Sequence, residues 1–110
     1  MSGFDDREKG FEAKFRLDQE SQFRVTARRN KLLGHWAAAK MGLTGGAVDD
    51  YAKEVVAADF TRAGDSDVIE KVVGDLTAKQ ITVSEADVRQ QLDALTKTAR
   101  DQIMTEIGKA

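Results

Sequence analysis

Apolar residues recur near the end of the chain at Val88, Leu92, Leu95, Ala99, Ile103 and Ile107. Steps of three and four return to one side of a helix, whereas a half-buried strand needs strict alternation. No proline occurs in the 110 residues. Proline breaks helices by removing an amide donor and clashing with the preceding turn. The stripe therefore runs its full length, and the chain is committed to an all-α fold.

Three further stripes precede it. From about Glu20 the residues Phe23, Val25, Ala27, Leu32, Leu33, Trp36, Ala37 and Met41 predict an amphipathic helix with a core face. Val48, Tyr51, Ala52, Val55, Val56 and Phe60 predict a second helix, from about Ala47 to Thr61. Asp49 and Asp50 fall in its first turn, where the helix dipole favours acids. Val68, Ile69, Val72, Val73 and Leu76 predict a third, from about Ser66 to Lys79, capped by Asp65 or Asp67. Gly42, Gly45, Gly46 and Gly64 mark the ends. Ile81-Thr82-Val83 is β-branched, but a strand has no partner here, so it reads as a linker. Ser84 with Asp87 three positions later resembles a capping box for the last helix. Four such helices with short connections predict a small four-helix bundle. The expected division is a flexible N-terminal segment over residues 1–19 and a bundle domain over residues 20–110.

Composition narrows the functions. The net charge of -2 gives no general attraction to nucleic acid or an anionic membrane. Cysteine is absent, which excludes disulfides and cysteine metal sites and suits a reducing compartment. The chain has no apolar run of about 18 residues, so no membrane insertion is expected. The opening Phe4-Asp5-Asp6-Arg7-Glu8 is too acidic for a transit peptide and is no signal peptide. A cytoplasmic location is expected.

Signals of chemistry are weak. His35 is the single histidine and has no second His or Cys to share a metal, so it reads as structural. Gly42-Leu43-Thr44-Gly45-Gly46 lacks the Gly-Lys-Ser/Thr ending of a phosphate loop and follows a helix; it reads as an interhelix turn. Asp65-Ser66-Asp67 begins like a calcium loop, but Glu70 stands where that loop needs glycine, and helix capping explains these acids better. Arg28-Arg29-Asn30-Lys31 reads as a solvated helix face, with a docking patch for an acidic partner as the alternative. No catalytic residue, no metal and no cofactor is expected.

The N-terminal segment carries the strongest functional signal. Phe4, Phe11 and Phe15 are spaced by seven and four, which places three rings on one helical face. Around them are dense charges, two helix-weakening glycines (Gly3 and Gly10), and, apart from Met1, only Ala13 and Leu17 as further apolar residues. Such a segment does not hold a lone helix in water. Either the rings pack onto the bundle, or the segment folds on a partner. Six acids in residues 1–31 argue against a membrane-surface helix.

Phe4-Asp5-Asp6-Arg7-Glu8, Glu12-Ala13-Lys14-Phe15, the run from Ala27 to Ala38 (Ala-Arg-Arg-Asn-Lys-Leu-Leu-Gly-His-Trp-Ala-Ala), Asp59-Phe60 and Thr98-Ala99-Arg100-Asp101-Gln102-Ile103 together resemble the zeta subunit of bacterial F-type ATP synthases. The likeness covers nearly the whole chain, and the run ending at Trp36-Ala37-Ala38 is its most specific part. The resemblance implies a four-helix inhibitor of ATP hydrolysis. Its partner would be the catalytic head, with alpha, beta and gamma subunits, of an inner-membrane ATP synthase. The N-terminal segment would become helical at the catalytic alpha/beta interface near gamma and block reverse rotation. Carried over, its contact residues are Phe4, Asp5, Asp6, Arg7, Glu8, Phe11, Glu12, Lys14 and Phe15. A generic helical adaptor with a self-packed tail, or a weak nucleotide-binding protein, is the alternative from the residues alone.

Overall fold

A computed structural model describes residues 19–59 and 65–109. These form four helices in an all-α bundle: α1 (Gln19–Lys40), α2 (Gly46–Ala58), α3 (Ser66–Ala78) and α4 (Glu85–Lys109). The expected flexible segment lies outside the described residues apart from Gln19, which already belongs to α1. Phe60, Thr61 and Gly64, at the predicted end of the second helix, also lie outside them.

The ends follow local chemistry. Gly42 takes φ +76°. Its N–H donates to Ala39 O, and the N–H of Leu43 reaches back to Ala38 O. This is the Schellman closure, and Leu43 then packs on the core. The same closure ends α3, where Gln80 N–H donates to Thr77 O and Ile81 N–H to Leu76 O. There the left-handed position, φ +63°, is held by Gln80 instead of a glycine. The capping box opens α4: Asp87 N–H donates to Ser84 Oγ and Ser84 N–H to Asp87 Oδ2, both at 3.1 Å. The backbone and hydroxyl of Ser84 hold the exposed Asp87 carboxyl below its usual range, with help from the Lys40 charge. A depressed carboxyl stabilises the fold above its ordinary range, so this cap loosens as acid protonates Asp87.

The expected cap on α3 differs. Asp65 stands at the N-cap position, but its side chain makes no cap bond. Its backbone is already near-helical, with φ -96° and ψ -3°, whereas a capping side chain needs an extended backbone to turn back on the first turn. The carboxylate is engaged by Arg29 instead.

Neighbouring helices run antiparallel. Gly34 meets Ala52 and Arg29 meets Asp59 across α1 and α2. Tyr51 meets Asp75 and Glu54 meets Lys71 across α2 and α3. Arg28 meets Gln102 and Arg24 meets Glu106 across α1 and α4. The main core joins all four helices through Leu33, Ala37, Val55, Ile69, Val72, Leu76, Val88 and Leu92. A second, smaller cluster of Val25, Ala99 and Ile103 holds α1 to α4 beyond it. Two assignments of the stripes change: Phe23 is 53% exposed and Ile107 39%. Helices α2 and α3 have 13 residues each, against 22 in α1 and 25 in α4, and among the described residues the short helices reach only the rim of that end, at Val56.

The contact between α1 and α2 depends on small residues. A methyl group on Gly34 would lie 2.6 Å from Ala52 Cα and 3.1 Å from its Cβ. The obstacle is backbone, which cannot swing aside as a side chain does. Between α2 and α3 the link is polar. Tyr51 Oη donates to Asp75 Oδ2 at 2.9 Å, and Lys71 Nζ donates to Asp75 at 3.0 Å and Glu54 at 3.2 Å. The ammonium also lies 5.3 Å from the Tyr51 ring centre. Burial, then the Asp75 hydrogen bond and the negative charges of Asp75 and Glu54, raises the Tyr51 hydroxyl well above its ordinary value. Burial acts to lower Lys71, but the bonds to Asp75 and Glu54 outweigh it and raise the net value.

Gly34→Ala is expected to destabilise the bundle by about 1–3 kcal/mol through overpacking. Urea unfolding followed by circular dichroism measures this, and an unchanged midpoint would remove the close approach as a constraint. The polar link predicts a pH effect. Groups whose folded pKa is raised stabilise fully below their unfolded values, about 10 for both side chains, and lose that contribution as pH rises further. The thermal midpoint should therefore hold from pH 7 to about 9 and fall above about 10. Tyr51→Phe should lower the plateau by about 1 kcal/mol and make the alkaline fall shallower. An identical alkaline slope would count against the Tyr51 contribution.

Candidate partner-binding surface

The sequence places every expected contact residue, Phe4, Asp5, Asp6, Arg7, Glu8, Phe11, Glu12, Lys14 and Phe15, outside the described residues. What the structure describes is the point where that segment joins the bundle. Gln19 opens α1. Nearly two turns later the helix packs on the last turns of α4 through Val25, Ala99 and Ile103, with Leu32 and Met104 beside them. Arg28 fastens this end. Its guanidinium donates to Gln102 Oε1 at 2.8 Å and lies 2.7 Å from Glu106 Oε2. Arg24 approaches the same carboxylate at 3.7 Å. Exposed ion pairs of this kind contribute about 0–1 kcal/mol each, so they orient the end more than they hold it.

The basic run Arg28-Arg29-Asn30-Lys31 is neither a solvated face nor one patch. Consecutive residues step about 100° around a helix, so four of them cannot share a side. Lys31 is exposed and Arg28 faces α4. Arg29 is 8% exposed and Asn30 1%. Arg29 Nε donates to Asn30 Oδ1 at 3.1 Å and Nη2 to Asp65 Oδ1 at 2.9 Å, with Asp59 Oδ2 at 4.0 Å. Asp59 closes α2 and Asp65 precedes α3. One guanidinium on α1 thus ties down the facing ends of both short helices. The Asn30 amide nitrogen is buried and has no hydrogen-bond partner among the described residues.

Beside this tie runs a shallow groove. Phe23, Ala27, Val56 and Ile103 line one end, with Arg24, Arg28 and Lys31 around them. It continues between α1 and α2 past Ala52, Lys53 and Ala57, where it encloses about 570 Å³. Sequence reasoning placed Phe23 in the core and so missed this groove. The signal was present, because Phe23 and Val25 are two residues apart and such neighbours point to nearly opposite sides of a helix.

The two motifs with weak chemistry keep their structural readings. The Gly42 and Leu43 amides are taken up in closing α1, which leaves them no phosphate to cradle. Gly45, at φ +62°, turns the chain into α2. His35 Nε2 lies 3.6 Å from Asp49 Oδ1, too long for a hydrogen bond. Trp36 packs against the core and carries the Lys40 ammonium 5.0 Å above its ring.

The family model described as ATPase inhibitor subunit zeta matches residues 1–102. The chain belongs to this family. The match includes the N-terminal segment as well as the bundle, so the expected resemblance to the zeta subunit of F-type ATP synthases holds. The zeta family is one of inhibitor subunits, which supports a regulatory role on an F-type ATPase. The chain is also similar to a protein solved in solution by NMR. The two share 47% identity and a TM-score of 0.69, over 77% of this chain and 96% of that one. A search of curated proteins finds no match. Among the described residues, no helix of this zeta-family bundle is long and apolar enough to cross a membrane.

Arg29→Met should destabilise the bundle by about 1–3 kcal/mol, because the buried Asn30 carbonyl loses its donor while half-exposed Asp65 regains water. That corresponds to a fall of at least about 4 °C in the thermal midpoint. Arg28→Met, at the exposed tie, should cost less than about 1 kcal/mol. Equal losses for the two would contradict the assignment of Arg29 as the main polar tie.

Proposed function

We propose that this protein inhibits ATP hydrolysis by the F-type ATPase, and that residues 1–19 form the inhibitory segment. The segment becomes helical as it enters the catalytic alpha/beta interface near gamma, and it obstructs rotation in the hydrolytic direction. The observation that carries the reading is the zeta-family match, which begins at residue 1 and so spans this segment.

Geometry supports it. Glu106 already lies opposite Arg24, and α4 is described only three residues further, to Lys109. A helix continued upstream of Gln19 would pass the described end of α4. A stripe of Phe4, Phe11 and Phe15 on such a continuation would have no described helix of its own chain to cover it. A second surface is then needed to bury the rings, and a cleft between two subunits supplies walls on both sides. Aromatic anchors seated in such a cleft carry much of an interface's energy. Asp5, Asp6, Arg7, Glu8, Glu12 and Lys14 offer both signs of charge to its walls. Ordering the segment has a cost, to which Gly3 and Gly10 each add up to about 1 kcal/mol relative to alanine.

The test is ATP hydrolysis by the catalytic head from the same organism. The full chain should inhibit and a chain lacking residues 1–19 should not. Phe11→Ala with Phe15→Ala should raise the half-inhibitory concentration by at least about tenfold. Equal inhibition by the full and shortened chains would move the inhibitory function into the bundle. No inhibition by the full chain would end this reading.

A further inference from the structure

We infer that the groove between α1 and α2, lipped by Phe23 and walled by Ala27, Val56 and Ala57, is a docking ledge that seats the bundle on its partner. The inference rests on the proposed inhibitor function and adds a second contact surface to it. Its occupant is an apolar strip on the partner's surface flanked by carboxylates.

Position is the first argument. Residues 1–18 join the described bundle at Gln19, and Phe23 is one helical turn away, about 6 Å along the axis. Whatever surface receives residues 1–18 must therefore come close to Phe23. The groove opens at that end and runs away from it along α1 and α2, so a surface engaged by the segment continues onto it.

Charge is the second argument. Beyond residue 31 the chain holds nine basic and thirteen acidic residues, so most of the bundle is net negative. The groove reverses that sign, with exposed Lys31 and Lys53 on its edges against Asp49 as the one acid among its described lining residues. Arg24 and Arg28 add positive charge at its mouth, moderated by Glu106. An apolar floor, a half-exposed aromatic lip and cationic edges suit an apolar strip with acidic borders. Phe23 is 53% exposed and stands at the rim of this floor.

The experiment uses the full chain and three variants: Phe23→Ser, Lys31→Glu with Lys53→Glu, and Lys97→Glu on α4 as the control. Each is checked for helix content and unfolding midpoint, then titrated into the hydrolysing catalytic head. Phe23→Ser and the double charge reversal should each raise the half-inhibitory concentration by about tenfold, with maximal inhibition unchanged. Lys97→Glu should leave it within about twofold. Wild-type potency in both ledge variants, with the chain lacking residues 1–19 inactive, would overturn the ledge and leave the inhibitor reading standing. Increased potency would show that the groove holds the chain's own residues 1–18 in the free protein, and would also overturn it. So would a concentration-dependent doubling of mass in ultracentrifugation that Phe23→Ser abolishes, since a second copy would then be the occupant. Failure of the wild-type chain to inhibit would remove both proposals together.

Discussion

The length mismatch between the helices governs this bundle. Helices α2 and α3 have 13 residues each and pack between partners of 22 and 25. A helix rises about 1.5 Å per residue, so the short pair ends roughly 10–15 Å before the long ones do at the Gln19 end. Where all four helices overlap, Leu33, Leu76, Val88 and Leu92 are removed from water. Toward the free ends of α1 and α4 the buried apolar residues, among those described, are only Val25, Ala99 and Ile103. The exposure of Phe23 and Ile107 follows from the same mismatch.

Ending two helices against the side of a third creates a polar problem, which Arg29 addresses. Its planar, always charged fork reaches the acids at both ends and leaves its apolar stem packed in the bundle. A lysine offers a single point charge and no such fork. The arrangement contributes orientation more than net stability, because desolvating a guanidinium offsets much of what its ion pairs return. On the other side of the bundle Lys71, Asp75 and Tyr51 play a comparable part between α2 and α3.

For the proposed inhibitor, the architecture separates two mechanical tasks. The main core makes a stable block, and the long pair carries the point of attachment to one end of it. A segment that orders on its partner suits a narrow cleft, while a folded block behind it limits how far it can enter. The ledge beside the attachment point would then convert a single contact into two linked ones. Linked contacts strengthen each other by raising the effective concentration of the second once the first has formed.

Local chemistry made most of the fold legible in the residues themselves. Helix periodicity located α1 to α4, Gly42 and Gly45 marked the turn between α1 and α2, and Ser84 with Asp87 announced the start of α4. Each of these depends on atoms within a few residues of each other, so sequence alone determines them. The candidate site was legible only as the N-terminal aromatic stripe, together with the family likeness. Tertiary structure alone decided the fates of Asp65, Arg29 and Phe23. Asp65 had the right residue type for a cap, yet a distant arginine took its carboxylate. Arg29 sat among surface-like neighbours and was buried by the ends of two other helices. Phe23 carried a core residue's chemistry and stayed half in water, because periodicity says which side of a helix is apolar and not whether another helix is long enough to cover it.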